Sequence, residues 1–189
     1  MKISPTAIPD VLVIEPRVFK DARGFFFESY NDAEFRKATR LDVQFVQDNH
    51  SHSGKGVLRG LHYQVEQAQG KLVRVTAGAI FDVAVDLRGG SPTFGRWVGV
   101  ELSADNFRQI WVPPGFAHGF LVLGESADVI YKTTDYYAPS HERCLRSDDP
   151  QVAVAWPLEG SKPVLSDKDR AGVSLDLVER LKTHGQCDP

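Results

Sequence analysis

Ile80–Leu87 reads I-F-D-V-A-V-D-L, and its alternation decides the fold class. Phe81, Val83, Val85 and Leu87 fall on one side of an extended chain, and Asp82 and Asp86 on the other. Period two marks a strand with one face in a core. Outward from it the β-type pattern repeats. Leu72–Ala77 and Val57–Gln64 precede it, with Val43–Val46 and Val11–Ile14 further upstream. Trp97–Leu102, Arg108–Val112, Phe120–Leu123 and Val129–Thr134 follow. The breaks carry turn formers, among them Gly78, Gly89-Gly90-Ser91-Pro92, Pro113-Pro114-Gly115 and Gly124. Short strands at a spacing of about 8–12 residues predict an all-β sandwich or barrel.

Two stretches read as helix instead. Asn31 heads N-D-A-E-F-R-K-A, with Glu34 three residues on, the pattern of a capping box. Leu175, Leu177, Val178 and Leu181 form an apolar stripe over Leu175–Lys182. Short peripheral helices are therefore expected near 31–39 and 175–182.

A chain of 189 residues with 42% hydrophobic content suits one domain, 1–189, with 170–189 as a peripheral tail. The net charge of -3 argues against nucleic acid or a membrane surface as the main partner. Two distant cysteines, Cys144 and Cys187, do not make a disulfide scaffold, so a reducing cytosol is expected. The N-terminus has no long apolar region of the kind that marks a signal peptide. No apolar run approaches the roughly 20 residues that span a bilayer.

The groups that can carry chemistry begin in V-L-R-G-L-H-Y-Q, Val57–Gln64. This run holds a titratable His62 and a fixed cation, Arg59, and Lys71 opens the next run. An imidazole accepts a proton at neutral pH without large tuning, given an orienting acceptor. Alone, a strand histidine is more often a half-buried structural group; its charged neighbours tilt the reading toward a site. Positions three apart point to opposite faces of a regular strand. Gly60 lies between Arg59 and His62, so a bulge there is expected to turn both toward one pocket.

W-V-P-P-G-F-A-H-G-F, Trp111–Phe120, has the Pro113-x-Gly115-x-x-His118 spacing and is similar to the second half-motif of the cupin barrels. A metal-binding cupin also needs H-x-H and a Glu upstream; the matching place here is His62-Tyr63-Gln64. Two histidines without further ligands make a poor metal site, so no metal is expected. His50-Ser51-His52 offers an H-x-H, but in a Ser/Gly-rich polar stretch. In V-I-Y-K-T-T-D-Y-Y-A-P, Tyr131 reads equally as a core residue with its hydroxyl at the rim or as a proton donor. Arg23 and Glu28 flank Phe25, Phe26 and Phe27, which reads as a surface ion pair beside core phenylalanines. The charge run Val164–Arg170 reads as solvated surface.

Together and in this order, these stretches resemble one family, dTDP-4-dehydrorhamnose 3,5-epimerase. The matching segments are R-G-F-F-F-E, Q-D-N-H-S, V-L-R-G-L-H-Y-Q, Q-G-K-L-V-R-V, F-D-V-A-V-D-L-R, W-V-P-P-G-F-A-H-G-F, Y-K-T-T-D-Y-Y-A-P and L-S-D-K-D. They run from Arg23 to Asp169, nearly the whole chain. The resemblance implies a cofactor-free cupin-type jelly roll that inverts C3 and C5 of dTDP-4-keto-6-deoxy-D-glucose. It implies His62 as base, Asp169 as its orienting carboxylate, Tyr131 as acid on the opposite face and Lys71 as the cation near the C4 oxygen. It places Arg23, Glu28, Gln47, Asn49, Arg59, His118, Glu142 and Lys168 on the nucleotide-sugar, with Tyr137 against the thymine. It also implies a cytoplasmic homodimer whose N-terminal strands cross to the partner. The rival readings are an epimerase acting at C3 or C5 alone, a non-catalytic nucleotide-sugar-binding cupin, and a metal-dependent cupin oxygenase disfavoured by its missing ligands.

Overall fold

The computed structural model describes residues 1–179 and 181. In chain order the strands are β1 (Lys2–Pro5), β2 (Leu12–Glu15), β3 (Phe19–Asp21), β4 (Gly24–Phe26), β5 (Gln47–Gly54) and β6 (Leu58–Gln64). They continue with β7 (Lys71–Asp86), β8 (Trp97–Ser103), β9 (Gln109–Val112), β10 (Phe116–Thr133) and β11 (Glu142–Cys144). Helix α1 spans Asp32–Thr39 and α2 spans Asp167–Arg170. None of the described helices is long and apolar enough to cross a membrane.

The long strands β7 and β10 form the spine. They run antiparallel from Phe116 opposite Asp86 to Thr133 opposite Lys71. Each exchanges its other neighbour half-way: β7 pairs first with β9 and then with β8. β10 pairs first with β6 and then with β5. The register slips between Val122 and Ala127, across from Gly78, whose φ is +72°. A Cβ on Gly78 would lie 1.9 Å from the Ser126 carbonyl oxygen, so only glycine lets the strands cross there. Gly78 and Gly124 thus do not end strands, as their positions predict. Both lie within continuous strands, where the slip bends the spine.

The bend divides the nine-stranded network into two facing sheets. One runs β1-β2-β9-β7-β10-β5 and the other β8-β7-β10-β6-β11. Between them packs a core of Val73, Val75, Ile110 and Val129 from the first sheet against Ile80, Ala84, Leu102, Phe120 and Val122 from the second. The result is the expected all-β jelly roll. Burying two sheet faces against each other supplies about 25 cal/mol per Å² of apolar area removed from water.

Both sheets are also covered outside, which corrects the reading of Ile80–Leu87 as a one-faced strand. Val83, Val85 and Leu87 pack outward under Leu145, Val152, Leu175, Val178 and Leu181. Asp82, on the inward face, is fully buried. On the first sheet, Ile14, Leu72 and Trp111 lie under Phe35 of α1. That helix begins as expected, with the Asn31 side chain accepting from the Glu34 amide.

The second expected helix does not form over the described residues. Leu175–Leu177 makes one 3₁₀ turn, and Val178 is already extended. Leu175, Val178 and Leu181 bury at three-residue spacing, and the Leu181 backbone bonds to Leu87 and Gly89. The segment's backbone partners are the end of a strand, so helical i→i−4 bonds are forgone. Residues 180 and 182 lie outside the described residues, as does Cys187.

The expected run Val43–Val46 is also not a strand. Val43 and Phe45 wedge against the α1 cluster. The polar stretch beside it, Gln47–Gly54, forms β5 instead, with burial that alternates residue by residue. Its inward residues are polar because they line a pocket rather than the core.

Candidate active site

Gly60 does carry the expected bulge. On β10, His118 pairs with His62 and Phe120 pairs with Arg59. Two steps along β10 therefore match three along β6. His118 and Phe120 share one face of β10, so their partners His62 and Arg59 share it too. Gly60 has φ +116°, and a Cβ there would meet Gly119 Cα and His118 O at 2.7 Å. Two glycines crossing are what permit the extra residue.

The inward faces then assemble the site. From the second sheet come His62 and Arg59 on β6 and His118 on β10. From the first come Lys71 on β7, Tyr131 on β10, and Asn49 and Gln47 on β5. Tyr131 pairs with Asn49 and Val73 and packs on the central core. His62 and Tyr131 therefore stand on opposite sheets and face one interior.

Asp169 reaches His62 across 107 residues of sequence, its Oδ1 2.6 Å from His62 Nε2. The Gly60 amide donates to the same oxygen at 3.2 Å, and Ser166 Oγ donates to Oδ2 at 2.6 Å. Burial works to raise this carboxyl, but the hydrogen bonds from His62, Ser166 and Gly60 outweigh it and bring it to about 2. An ionised carboxylate only accepts, so Nε2 is the donor and Nδ1 keeps the lone pair. Ser166 caps α2, its oxygen accepting from the Asp169 amide.

A second pair lies deeper. His118 Nε2 donates to Asp82 at 3.0 and 2.9 Å, with the Asp82 side chain fully buried and that of His118 9% exposed. Lys71 is buried nearby. Desolvation lowers its ammonium to about 8, against the opposing pull of Asp82 and Glu142. Burial raises the Tyr131 phenol, reinforced by Glu142 and opposed by Arg59. At neutral pH it is a protonated donor.

At the rim, Tyr137 donates to Glu142 at 2.6 Å, and Glu142 pairs with Lys168. Burial works to raise the Glu142 carboxyl, but the Lys168 and Tyr137 hydrogen bonds hold it below the ordinary range. Gln47 ties the rim to β5, donating to Asn49 at 2.9 Å and accepting from the Tyr137 amide at 3.1 Å. Arg59 donates to Ser53 Oγ at 2.9 Å and to the His52 carbonyl oxygen at 3.2 Å.

Two predicted site residues stand elsewhere. Arg23 lies in the separate β3–β4 hairpin and pairs with Asp21, its side chain 90% exposed. Glu28 accepts from Asn31 Nδ2. They form no pair with each other, and the flanking Phe25 and Phe26 are exposed rather than core. His50 and His52 point outward on β5 and both bond Asp128, at 2.9 and 3.1 Å.

Three residues of the site were not singled out in the sequence. Asp82 stood out only as a carboxylate within an apolar alternation. Ser166 carried a signal, since S-x-x-D opens a capped turn. Cys144 carried none: it is brought opposite His62 by the pairing of β11 with β6. Burial raises its thiol to about 12, with Asp169 adding to the shift.

A model of the dTDP-4-dehydrorhamnose 3,5-epimerase family matches residues 5–176. A Pseudomonas aeruginosa protein of that name is 64% identical over 172 residues, covering 91% of this chain and 94% of its own length. A Legionella pneumophila dTDP-6-deoxy-D-glucose-3,5-epimerase, solved in complex with dTDP-4-keto-L-rhamnose, superposes with a TM-score of 0.94 at 51% identity. It covers 97% of this chain and 99% of its own. A 3'-monoepimerase from Streptomyces bikiniensis, in complex with dTDP-quinovose, gives a TM-score of 0.85 at 35% identity, covering 91% of this chain and 87% of its own. Fold, motifs and near full-length similarity agree: this chain belongs to the dTDP-4-dehydrorhamnose 3,5-epimerase family.

Proposed function

We propose that this protein inverts both C3 and C5 of dTDP-4-keto-6-deoxy-D-glucose, giving dTDP-4-keto-L-rhamnose. The observation that carries this reading is the opposition of His62, held by Asp169, to the half-buried phenol of Tyr131. Hydrogens at C3 and C5 are acidified by the C4 ketone. His62 Nδ1 takes one of them, and Asp169 stabilises the imidazolium that forms. The charge collects on the C4 oxygen as an enolate. Lys71, buried and mostly protonated at neutral pH, meets charge that develops only as the bond breaks, the kind of interaction that raises kcat. Tyr131 returns a proton from the other face, which inverts the carbon. Both groups then re-equilibrate with solvent, and no electron changes hands.

Arg59, His118, Asn49, Gln47, Glu142 and Lys168 line the same interior and rim, and we assign them to the sugar and its diphosphate, with Tyr137 against the thymine. Guanidinium is suited to phosphate oxygens. Arg23 and Glu28 reach no residue of their own chain's pocket, and Phe25 and Phe26 beside them are 61% and 68% exposed. Both facts support a homodimer in which the N-terminal hairpin crosses to the partner's site. Double rather than single inversion is favoured by 64% identity to a 3,5-epimerase against 35% to a monoepimerase.

The test is exchange in D2O with the keto-sugar nucleotide, followed by NMR. Deuterium at both C3 and C5 is expected. Deuterium at one carbon would establish a monoepimerase, and none would leave only a binding protein.

A further inference from the structure

The His62–Asp169 pair has a third neighbour with a ligand atom. An imidazole nitrogen of His62, Cys144 Sγ and a carboxylate oxygen of Asp169 all lie within 4.8 Å of one another. Cys144 and His62 are directly paired residues of adjacent strands, a relation that brings Cβ atoms to about 5 Å. Cys144 is partly buried, and its thiol makes a weak hydrogen bond to the Leu145 carbonyl oxygen at 3.6 Å and interacts with the Leu61 backbone. Asp169 is fixed through both oxygens. One nitrogen, one sulfur and one oxygen, with the His62 side chain 28% exposed toward the pocket, make a three-ligand set with an open fourth position. That is the donor pattern of a borderline-soft divalent ion such as zinc.

We infer that His62, Cys144 and Asp169 form a latent site for zinc or cobalt(II), and that filling it switches the enzyme off. The metal displaces the thiol proton to solvent and takes the Nε2 lone pair. The imidazole hydrogen must then reside on Nδ1, so the nitrogen that accepts the substrate proton is lost. The site is inhibitory, because the reaction itself is proton transfer at carbon beside a ketone. The loss of activity rests on His62 being the base; occupancy of the site does not.

The experiment therefore reads the two separately. Cobalt(II) chloride added to the purified full-length protein should give a thiolate-to-metal charge-transfer band in the near ultraviolet. Zinc chloride should inhibit epimerisation, and EDTA should restore it. Cys144→Ser should abolish the band and weaken zinc inhibition by at least about a hundredfold, the upper end for losing only an outer-shell partner. Zinc inhibition of the variant is read against the variant's own metal-free turnover. A band that survives Cys144→Ser would assign the metal to Cys187 and overturn the proposal. So would metal binding without a band, the outcome expected if the ion sits at the outer His50, His52 and Asp128. A Cys144-dependent band without inhibition would confirm the metal site and refute His62 as the base.

Discussion

Two histidine–carboxylate pairs occupy one barrel interior, and they differ in how their carboxylates arrive. His118 and Asp82 come from neighbouring strands, and the pair is sealed, with side chains 9% and 0% exposed. His62 stands on a strand, but Asp169 comes from a short helix beyond the sheets, and the His62 ring is 28% exposed. A third set, His50 and His52 on Asp128, lies outside the barrel with rings more than half exposed. Similar groups at similar distances therefore have different uses. Access to the pocket separates a base from a binding group, and a place on the inner face separates both from a surface ion pair.

The sharpest way to break this comparison is to exchange the losses. His62→Ala should lower kcat by about 10²–10⁴-fold, and should also cost about 1–3 kcal/mol of stability, because the buried Asp169 carboxylate loses its 2.6 Å donor. Asp169→Asn should fall in the same range, because an amide no longer dictates which nitrogen carries the hydrogen. If Asp82→Asn costs as much turnover as Asp169→Asn in the D2O assay, the division of labour is wrong.

Lys71 offers the next largest effect, with the opposite sign. Its folded value near 8 lies below the ordinary 10.5, so at pH 7 the buried charge costs about 3 kcal/mol of stability. Between pH 8 and 10.5 the unfolded chain binds more protons, so stability rises with pH there. Lys71→Met should therefore be more stable at pH 7, lose that advantage above about pH 10.5, and have little activity. Urea titration at the two pH values checks it.

Asp82→Asn leaves His118 facing a weaker acceptor in a sealed site, and should cost about 1–3 kcal/mol in denaturant unfolding. Asp128→Asn, on the outside, should stay within about 0.5 kcal/mol of the parent and leave kcat unaltered. A larger loss there would show that the outer face does more than its exposure implies.

Much of this was legible in the chain. Alternation over Ile80–Leu87 announces β structure, because side chains on a pleated strand alternate faces. Gly60 between Arg59 and His62 announced the bulge, because two groups three apart share a pocket only if an extra residue intervenes. The order of motifs identified the family. Other features resisted local reading. Gly78 and Gly124 look like turns, yet they sit inside continuous strands, because the segments on either side of the slip stay paired. Gln47–Gly54 looks like a loop, yet it is a strand whose inner face is polar because it lines a pocket.

By itself the sequence determined the all-β class, the run of motifs, and the presence of a base, a cation and a phenol. The run of motifs named Asp169 for His62 through the family it resembles; only the tertiary structure decided that Asp82 serves His118. The chain offers 25 acidic residues, and the local pattern marks Asp82 only as a carboxylate in an apolar alternation and Asp169 only as the end of S-x-x-D, with no partner named for either. Such pairing depends on contacts over 107 and 36 residues, set by how two sheets close on each other. The same closure brings Cys144 opposite His62, a neighbour that no spacing in the chain foretells.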